Sequence, residues 1–373
     1  MKIVVAPDSF KESLSAELVA RSIVEGLRTV WSDAEYVELP LADGGEGTVK
    51  TLTEAVHGEM VECGVHDPLM RPIRAEYGLT DNGRTAVIEV ASASGLSLLA
   101  PDERDPCTAT SFGTGELIAH ALDKGVRNFI IGLGGSATND GGVGIAQALR
   151  YRFLDERGES LGSGGIALKG LTGIDNGNLH PALRDATFQV ACDVNIPMCG
   201  IDGSSLNYSA QKGANREQAD ALESALRNYS RVLDAYAGRG VSEEPGAGAA
   251  GGIGAGLLAF TSATLSPGFD LIAQACDLED HIRGCDLVIT GEGRMDVQTE
   301  QGKVPSGVAR LAQKHGKRVI AFCGTLDASG GDAAARFAAI IAIDSLATDE
   351  ADGMENAARY LAQVAASFAR DWT

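Results

Sequence analysis

Positive charge is scarce in this chain. Lys and Arg number 31 against 51 Asp and Glu, a formal net charge of −20. That balance excludes nucleic acid and anionic membrane surfaces as expected partners, because both call for basic patches. An anionic ligand must instead find local cations or backbone N–H groups. Cysteine occurs seven times, an odd number, and no C-x-x-C is present. A disulfide framework and a zinc pattern are thereby excluded, and reduced, mostly buried thiols are expected. Long hydrophobic runs are missing. The opening run Met1–Ala6 is too short for a signal peptide. The uncharged stretch 245–269 is built of Gly and Ala and contains Pro245 and Pro267, so it does not read as a membrane span. A cytoplasmic location is expected, without nucleic-acid or membrane partners; homodimer and monomer both stay open. There is no internal repeat. The sequons at Asn207 and Asn228 are read as chance matches in the absence of a secretory signal.

Several catalytic signatures are also absent. No G-x-x-x-x-G-K-[ST] occurs, because Gly302-Lys303 is followed by Val304. The protein-kinase motif set and the G-x-S-x-G elbow are missing too. The histidines His57, His66, His120, His180, His281 and His315 lie away from the glycine clusters and read as packing or surface residues.

What the chain has in excess is glycine, 47 residues, gathered in clusters. Clustered Gly suggests sharp turns or backbone that approaches a ligand closely. The length of 373 residues sets an expectation of two domains. The apolar run Lys2–Ala6, the helical spacing over Ser13–Val30 and the run Ala34–Leu39 read as one βαβ unit. Ser13 or Ser15 could cap that helix. The C-terminal third resumes the pattern: strands at Asp286–Thr290, Arg318–Cys323 and Ala338–Ile343, and helices at Pro305–His315 and Met354–Arg370. The expected fold is therefore α/β. A doubly wound parallel sheet domain is built from both chain ends, residues 1–60 and 265–373, and a second α/β domain with a mixed sheet, 61–264, is inserted. Within the insertion, strands are expected at Thr85–Val90, Phe129–Leu133, Tyr151–Leu154 and Phe188–Ala191, and helices at Thr114–Lys124 and Arg216–Ala237.

Unusual polar residues follow the ends of these strands, the edge at which open α/β sheets bind ligands. They are Asp8-Ser9-Phe10-Lys11-Glu12, Asp43-Gly44-Gly45-Glu46-Gly47, Gly134 to Gly142, Asp193, and Gly291-Glu292-Gly293. Gly134-Gly135-Ser136-Ala137-Thr138-Asn139-Asp140-Gly141-Gly142 is the phosphate-loop candidate, since strand, Gly-rich turn and helix would aim N–H groups at an anion. The bland reading is a tight turn with a helix cap. A sharper competitor is a dinucleotide fingerprint. Gly132, Gly134 and Ala137 fit G-x-G-x-x-A, with Asp155 as the ribose acid. Asn139-Asp140-Gly141-Gly142 would interrupt the helix that such a fingerprint needs. Gly246 to Gly251 also fits G-x-G-x-x-G, but no strand precedes it, and packing is as good a reading. Phosphoryl transfer asks for cations and N–H groups on phosphates, Mg²⁺ on carboxylates and an acid beside the attacking hydroxyl. The strand ends supply all three.

At these clusters the sequence resembles a known family. Ala6-Pro7-Asp8-Ser9-Phe10-Lys11-Glu12-Ser13, Ala42-Asp43-Gly44-Gly45-Glu46-Gly47-Thr48, Gly134–Gly142, 245–256 and Leu287–Ala309 are similar to blocks of the type I bacterial glycerate kinases. The resemblance runs over essentially the whole chain. Two departures occur: Ala210 stands where the family has proline before Gln211-Lys212-Gly213, and Asn195-Ile196-Pro197-Met198 carries an extra residue. The resemblance implies ATP- and Mg²⁺-dependent phosphorylation of D-glycerate, usually to 2-phosphoglycerate, in glyoxylate or glucarate breakdown. It also implies a flavodoxin-like domain with a second α/β domain inserted.

Strand-end position and charge, rather than the resemblance, suggest the roles. ATP is expected in the cleft between the domains, bound by Gly134, Gly135, Ser136, Ala137, Thr138, Asn139, Asp140 and Lys212. Asp8, Ser9, Asp43, Gly44, Gly45, Glu46 and Arg294 are expected to hold substrate. Asp8, Asp193 and Glu292 are expected to hold Mg²⁺. Lys11, Lys303, Asp193 and Asp296 are the expected catalytic groups. A sensor on the same fold that binds glycerate or nucleotide without turnover would need fewer carboxylates.

Overall fold

The computed structural model describes residues 1–42, 47–295, 303–327 and 336–372. Its strands, in chain order, are β1 (Lys2–Val5), β2 (Glu35–Glu38), β3 (Glu59–His66), β4 (Pro72–Thr80), β5 (Thr85–Glu89), β6 (Asn128–Gly132), β7 (Arg152–Leu154), β8 (Gly173–Asp175), β9 (Thr187–Ala191), β10 (Thr264–Ser266), β11 (Leu287–Met295), β12 (Val319–Leu326) and β13 (Ala339–Ala342). The chain divides into two compact units: Met1–Asp43, Glu54–Val56 and Phe269–Thr373 form one, and Gly44–Thr53 and His57–Gly268 the other.

The unit made from both chain ends is a five-stranded sheet in the order β13-β12-β11-β1-β2, parallel throughout. This is the flavodoxin-like order, with its reversal between β1 and β11. The strands are continuous apolar runs because both faces are covered. Ile3, Val5, Leu287, Ile289, Ile320 and Phe322 share a core with the helices Ala16–Arg28 and Ala357–Asp371. Val4, Val288 and Ala321, which alternate with them, are equally buried. The first helix is capped by Ser15, whose hydroxyl accepts the Leu18 N–H at 3.3 Å. Ser13 instead donates to the Met354 carbonyl at 2.6 Å. The helix expected over Met354–Arg370 is two helices, Glu350–Glu355 and Ala357–Asp371.

The other unit is a mixed six-stranded sheet, β10-β9-β6-β5-β4-β3. β10, β9, β6 and β5 are parallel, whereas β4 and β3 add an antiparallel hairpin that no sequence expectation covered. Phe129 and Phe188, register partners on β6 and β9, stack at 4.7 Å and anchor the core. The strand expected at Tyr151–Leu154 is present as β7 (Arg152–Leu154). It pairs only with β8, in a separate two-stranded sheet. Asp155 closes the turn that follows β7, with Oδ1 accepting the Arg157 and Glu159 N–H groups at 2.8 and 2.9 Å. This corrects the dinucleotide reading, which needed Asp155 at the edge of the main sheet.

Candidate active site

In open α/β sheets, the crevice for ligands opens where strand order reverses. In the first unit that point lies at the carboxyl ends of β1 and β11. A pocket of about 1140 Å³ sits there, lined by Asp8, Ser9, Phe10, Lys11, Glu292, Arg294, Lys303, Asp327 and Asp344 among others. Five charged residues expected to act on ligands, Asp8, Lys11, Glu292, Arg294 and Lys303, thus share one wall system. Asp8 and Glu292 are buried. Asp8 Oδ1 accepts the Ser9 N–H at 2.6 Å and the Ser9 hydroxyl at 3.3 Å, which fixes the carboxylate at the strand exit. Glu292 was expected just past a strand; it lies inside β11, in register with Cys323 of β12. The longer strand holds this carboxylate on rigid backbone. Lys303 begins the helix Val304–Lys314, and its Nζ stands 3.7 Å from Glu292 Oε2. A cation is disfavoured at a helix N-terminus; the Glu292 carboxylate offsets that cost. Arg294 Nη2 donates to Asp327 Oδ2 at 3.3 Å while its side chain remains two-thirds exposed. Burial, and then the negative charges of Asp344 and Glu292, push the Cys323 thiol up to about 12, so it stays protonated beside this acidic wall.

The second unit carries the glycine loop. β6 leads through Leu133 into Gly134–Gly142, and the loop is held from three sides. Its first part is pinned to the segment after β5: Leu96 N–H donates to the Gly135 carbonyl and Ala137 N–H to the Ser94 carbonyl, both at 2.9 Å. Its centre is gripped by Lys212, whose Nζ donates to Ser136 Oγ at 2.9 Å and to the Thr138 carbonyl at 2.7 Å. Lys212 is buried, and desolvation lowers its pKa to about 8 against the opposing pull of Asp140. The last part is held by Asp140. One of its oxygens accepts from Ser111 N–H at 2.8 Å, Ser111 Oγ at 2.9 Å and Gly144 N–H at 3.2 Å, and the other accepts Gly142 N–H at 3.1 Å. Those donors open the helices Phe112–Asp123 and Val143–Ala148, so the carboxylate sits at two helix N-termini. Asp140 therefore serves the loop's shape. Thr138 Oγ1 and Asn139 Oδ1 are buried with no hydrogen-bond partner among the described residues. The segment 246–256 packs behind the loop: Gly141 N–H donates to the Gly251 carbonyl at 2.9 Å, and a Cβ at Gly251 would overlap the Thr138 carbonyl. Close packing of that glycine run against the loop is thus observed.

Asp193 follows β9 in this same unit, and its Oδ1 accepts the Gly268 N–H at 2.9 Å. Asp43, Gly44, Gly45, Glu46 and Asp296 lie outside the described residues. Among the described residues no three His, Cys, Asp or Glu side chains come together as a metal-holding group. Of the three expected Mg²⁺ ligands, Asp8 and Glu292 line one pocket and Asp193 belongs to the other unit. Sequence reasoning missed Asp327, just past β12, because the strand runs three residues beyond its expected end. It also missed Glu89, which ends β5. An acid at a strand end was the available signal in both cases.

A doubly wound sheet with a charged pocket at its switch point, joined in one chain to a glycine-loop unit, defines a class of ligand-binding α/β enzyme. The comparisons narrow it. The family model described as the glycerate kinase family matches residues 3–373. The glycerate kinase of Haemophilus influenzae and the glycerate 2-kinase of Escherichia coli K12 are each 48% identical over 326 residues, 87% of this chain and 86% of theirs. The glycerate kinase of Bacillus subtilis is 44% identical over 370 residues, covering 99% of this chain and 97% of its own. The crystal structure assigned to glycerate kinase 2 of Salmonella typhimurium LT2 superposes with a TM-score of 0.91 at 45% identity, over 99% of this chain and 97% of that one. The chain belongs to the glycerate kinase family and is a phosphotransferase acting on glycerate. A kinase family implies ATP as co-substrate. Among the described residues, no helix is long and apolar enough to cross a membrane.

Proposed function

We propose that the enzyme phosphorylates D-glycerate at its 2-hydroxyl, giving 2-phosphoglycerate and ADP. The observation that carries this is the pocket at the β1/β11 switch point, whose lining includes Lys11, Arg294 and Lys303 together with Asp8 and Glu292. Three cations in a molecule of net charge −20 are the local charge that a small carboxylate and a transferring phosphoryl group require. The regiochemistry is supported by the printed name of the Escherichia coli relative. Asp8, with Ser9 beside it, and Arg294 hold the substrate acid, and Lys11 and Lys303 stabilise charge on the phosphoryl oxygens. The N–H groups of Gly134, Gly135, Ser136 and Thr138 and the hydroxyls of Ser136 and Thr138 bind nucleotide phosphates, in a turn shaped by the Ala137 N–H bond to Ser94 and by Asn139, Asp140 and Lys212. The sequence block 43–46 contributes to substrate binding.

Mg²⁺ usually binds through one or two carboxylates plus substrate phosphates. Asp8 and Glu292 fit that requirement, two buried oxygen donors in one pocket. When bound, the ion neutralises phosphate charge. Asp193 or Asp296 orients the attacking hydroxyl. Its oxygen forms the new bond to the γ-phosphorus as the bond to the ADP oxygen breaks, and its proton passes to the carboxylate.

Phosphorus NMR with Mg-ATP and D-glycerate tests the proposal. A phosphomonoester signal matching 2-phosphoglycerate is expected. The 3-phosphate signal would overturn the hydroxyl assignment, and silence with D-glycerate would overturn the substrate.

A further inference from the structure

Three parallel strands of the inserted unit end in one row. Glu89 of β5 is in register with Gly132 of β6, and Gly132 with Ala191 of β9. The three chain exits are therefore Glu89 itself, the glycine loop and the segment carrying Asp193. Glu89 is 8% exposed, an unusual place for a carboxylate that only meets solvent. Its Oε1 accepts the Val49 N–H at 2.8 Å in a buried bond. Val49 is the second residue of the helix Thr48–Ala55, whose first turn includes the Thr51 N–H to Gly47 carbonyl bond. Gly47 adopts a φ of +91°, so the chain turns sharply just before the helix. A carboxylate at a helix N-terminus is favoured both as acceptor and as charge. The residue after Glu89, Val90, donates to the Gly132 carbonyl at 2.9 Å, and four residues further on the Ser94 carbonyl takes the Ala137 N–H of the glycine loop. One side chain thus ties the start of the helix Thr48–Ala55 to the backbone that also holds the loop.

We infer that Glu89 is a positioning residue, which sets the start of the helix Thr48–Ala55 against the carboxyl edge of β5 and β6 so that both are aligned for substrate. This rests on the reading that the glycine loop binds nucleotide phosphates. The role needs an oxygen acceptor at this point and places no chemistry on the carboxylate.

The test compares Glu89→Gln, which keeps an acceptor oxygen, with Glu89→Ala, which does not. Both variants are assayed for kcat and KM per folded molecule, and amide hydrogen exchange is followed over residues 48–55. Glu89→Ala is expected to lower kcat/KM by about tenfold or more, since small misplacements of bound groups are costly. Glu89→Gln is expected to restore it to within about threefold, and exchange over 48–55 to quicken in the Ala variant alone. A Gln variant as impaired as the Ala variant would show that the charge takes part in the chemistry, and would overturn the inference. So would an Ala variant of normal kcat/KM, or unchanged exchange in both. If the wild type fails to turn over D-glycerate, the functional reading falls, and the exchange comparison still decides the inference.

Discussion

At the scale of single residues, two side chains of the inserted unit carry sharp expectations. Lys212 titrates near 8 in the folded chain and near 10.4 when unfolded, because burial opposes its charge. Between those values the unfolded chain binds more protons, so the Lys212 contribution to stability rises with pH. Below about pH 8 both states are protonated and the full cost of burying the charge, about 3 kcal/mol, is present. In Lys212→Met, urea unfolding at several pH values should lack the rise that the wild type shows from about pH 8 to 10. Equal slopes in the two proteins would show that Lys212 is not desolvated. The second residue is Asp193. Asn at this position retains an oxygen for the Gly268 N–H, so folding should survive. If Asp193 is a base or a metal ligand, kcat in Asp193→Asn should fall by at least about a hundredfold. Near-normal turnover would remove Asp193 from the chemistry.

At the scale of elements, β11 shows what was legible and what was not. Its apolar first half announced a buried strand, and the expected strand ended at Thr290. The rest, Gly291 to Met295, reads as a polar loop, because glycine and charge are poor local signals for a strand. Tertiary pairing with β12 overrides that signal: Gly291 pairs with Phe322, Glu292 with Cys323 and Arg294 with Thr325. The same glycines permit the strands to carry the site. A Cβ at Gly324 would overlap the Gly293 carbonyl, so Gly324→Ala must spread the two strand tails beneath Glu292 and Arg294. A fall of about tenfold or more in kcat/KM is expected, read against Gly64→Ala, whose Cβ would meet nothing within 4 Å. Equal activity in the two variants would show that the strand tails tolerate the shift. The hairpin of β3 and β4 was missed for a different reason. Only part of each strand alternates between buried and exposed positions, and Gly64 and Gly78 interrupt the β-branched residues on which a strand assignment relies. The glycine loop was legible as a cluster, yet the partition of labour within it was not. Nothing in the sequence says that Asp140 faces the Ser111 N–H while Ser136 meets Lys212, since those partners are 29 and 76 residues away.

At the scale of the molecule, the charge of −20 has a measurable consequence. Exposed pairs such as Arg74–Glu62 and Arg84–Asp81 contribute little each and are screened by salt. Self-repulsion among the excess carboxylates is screened as well, and with so large an imbalance it should dominate. The melting temperature should rise by a few degrees as NaCl goes from about 10 to 150 mM, while the Debye length falls from about 30 to 8 Å. A falling melting temperature would mean that local pairs outweigh the net charge. The pairing of β1 with β11 bears on a different process. Ile3 stands beside Leu287, a separation of 284 residues. A ribosome releasing about 5–20 residues each second needs on the order of ten seconds to a minute to travel between them. For that interval the first βαβ segment has left the tunnel without the neighbour that completes its sheet, while the whole inserted unit has time to form. The earlier-made strand is then among the last to settle, and its apolar edge toward β11 stays open to a chaperone for that interval.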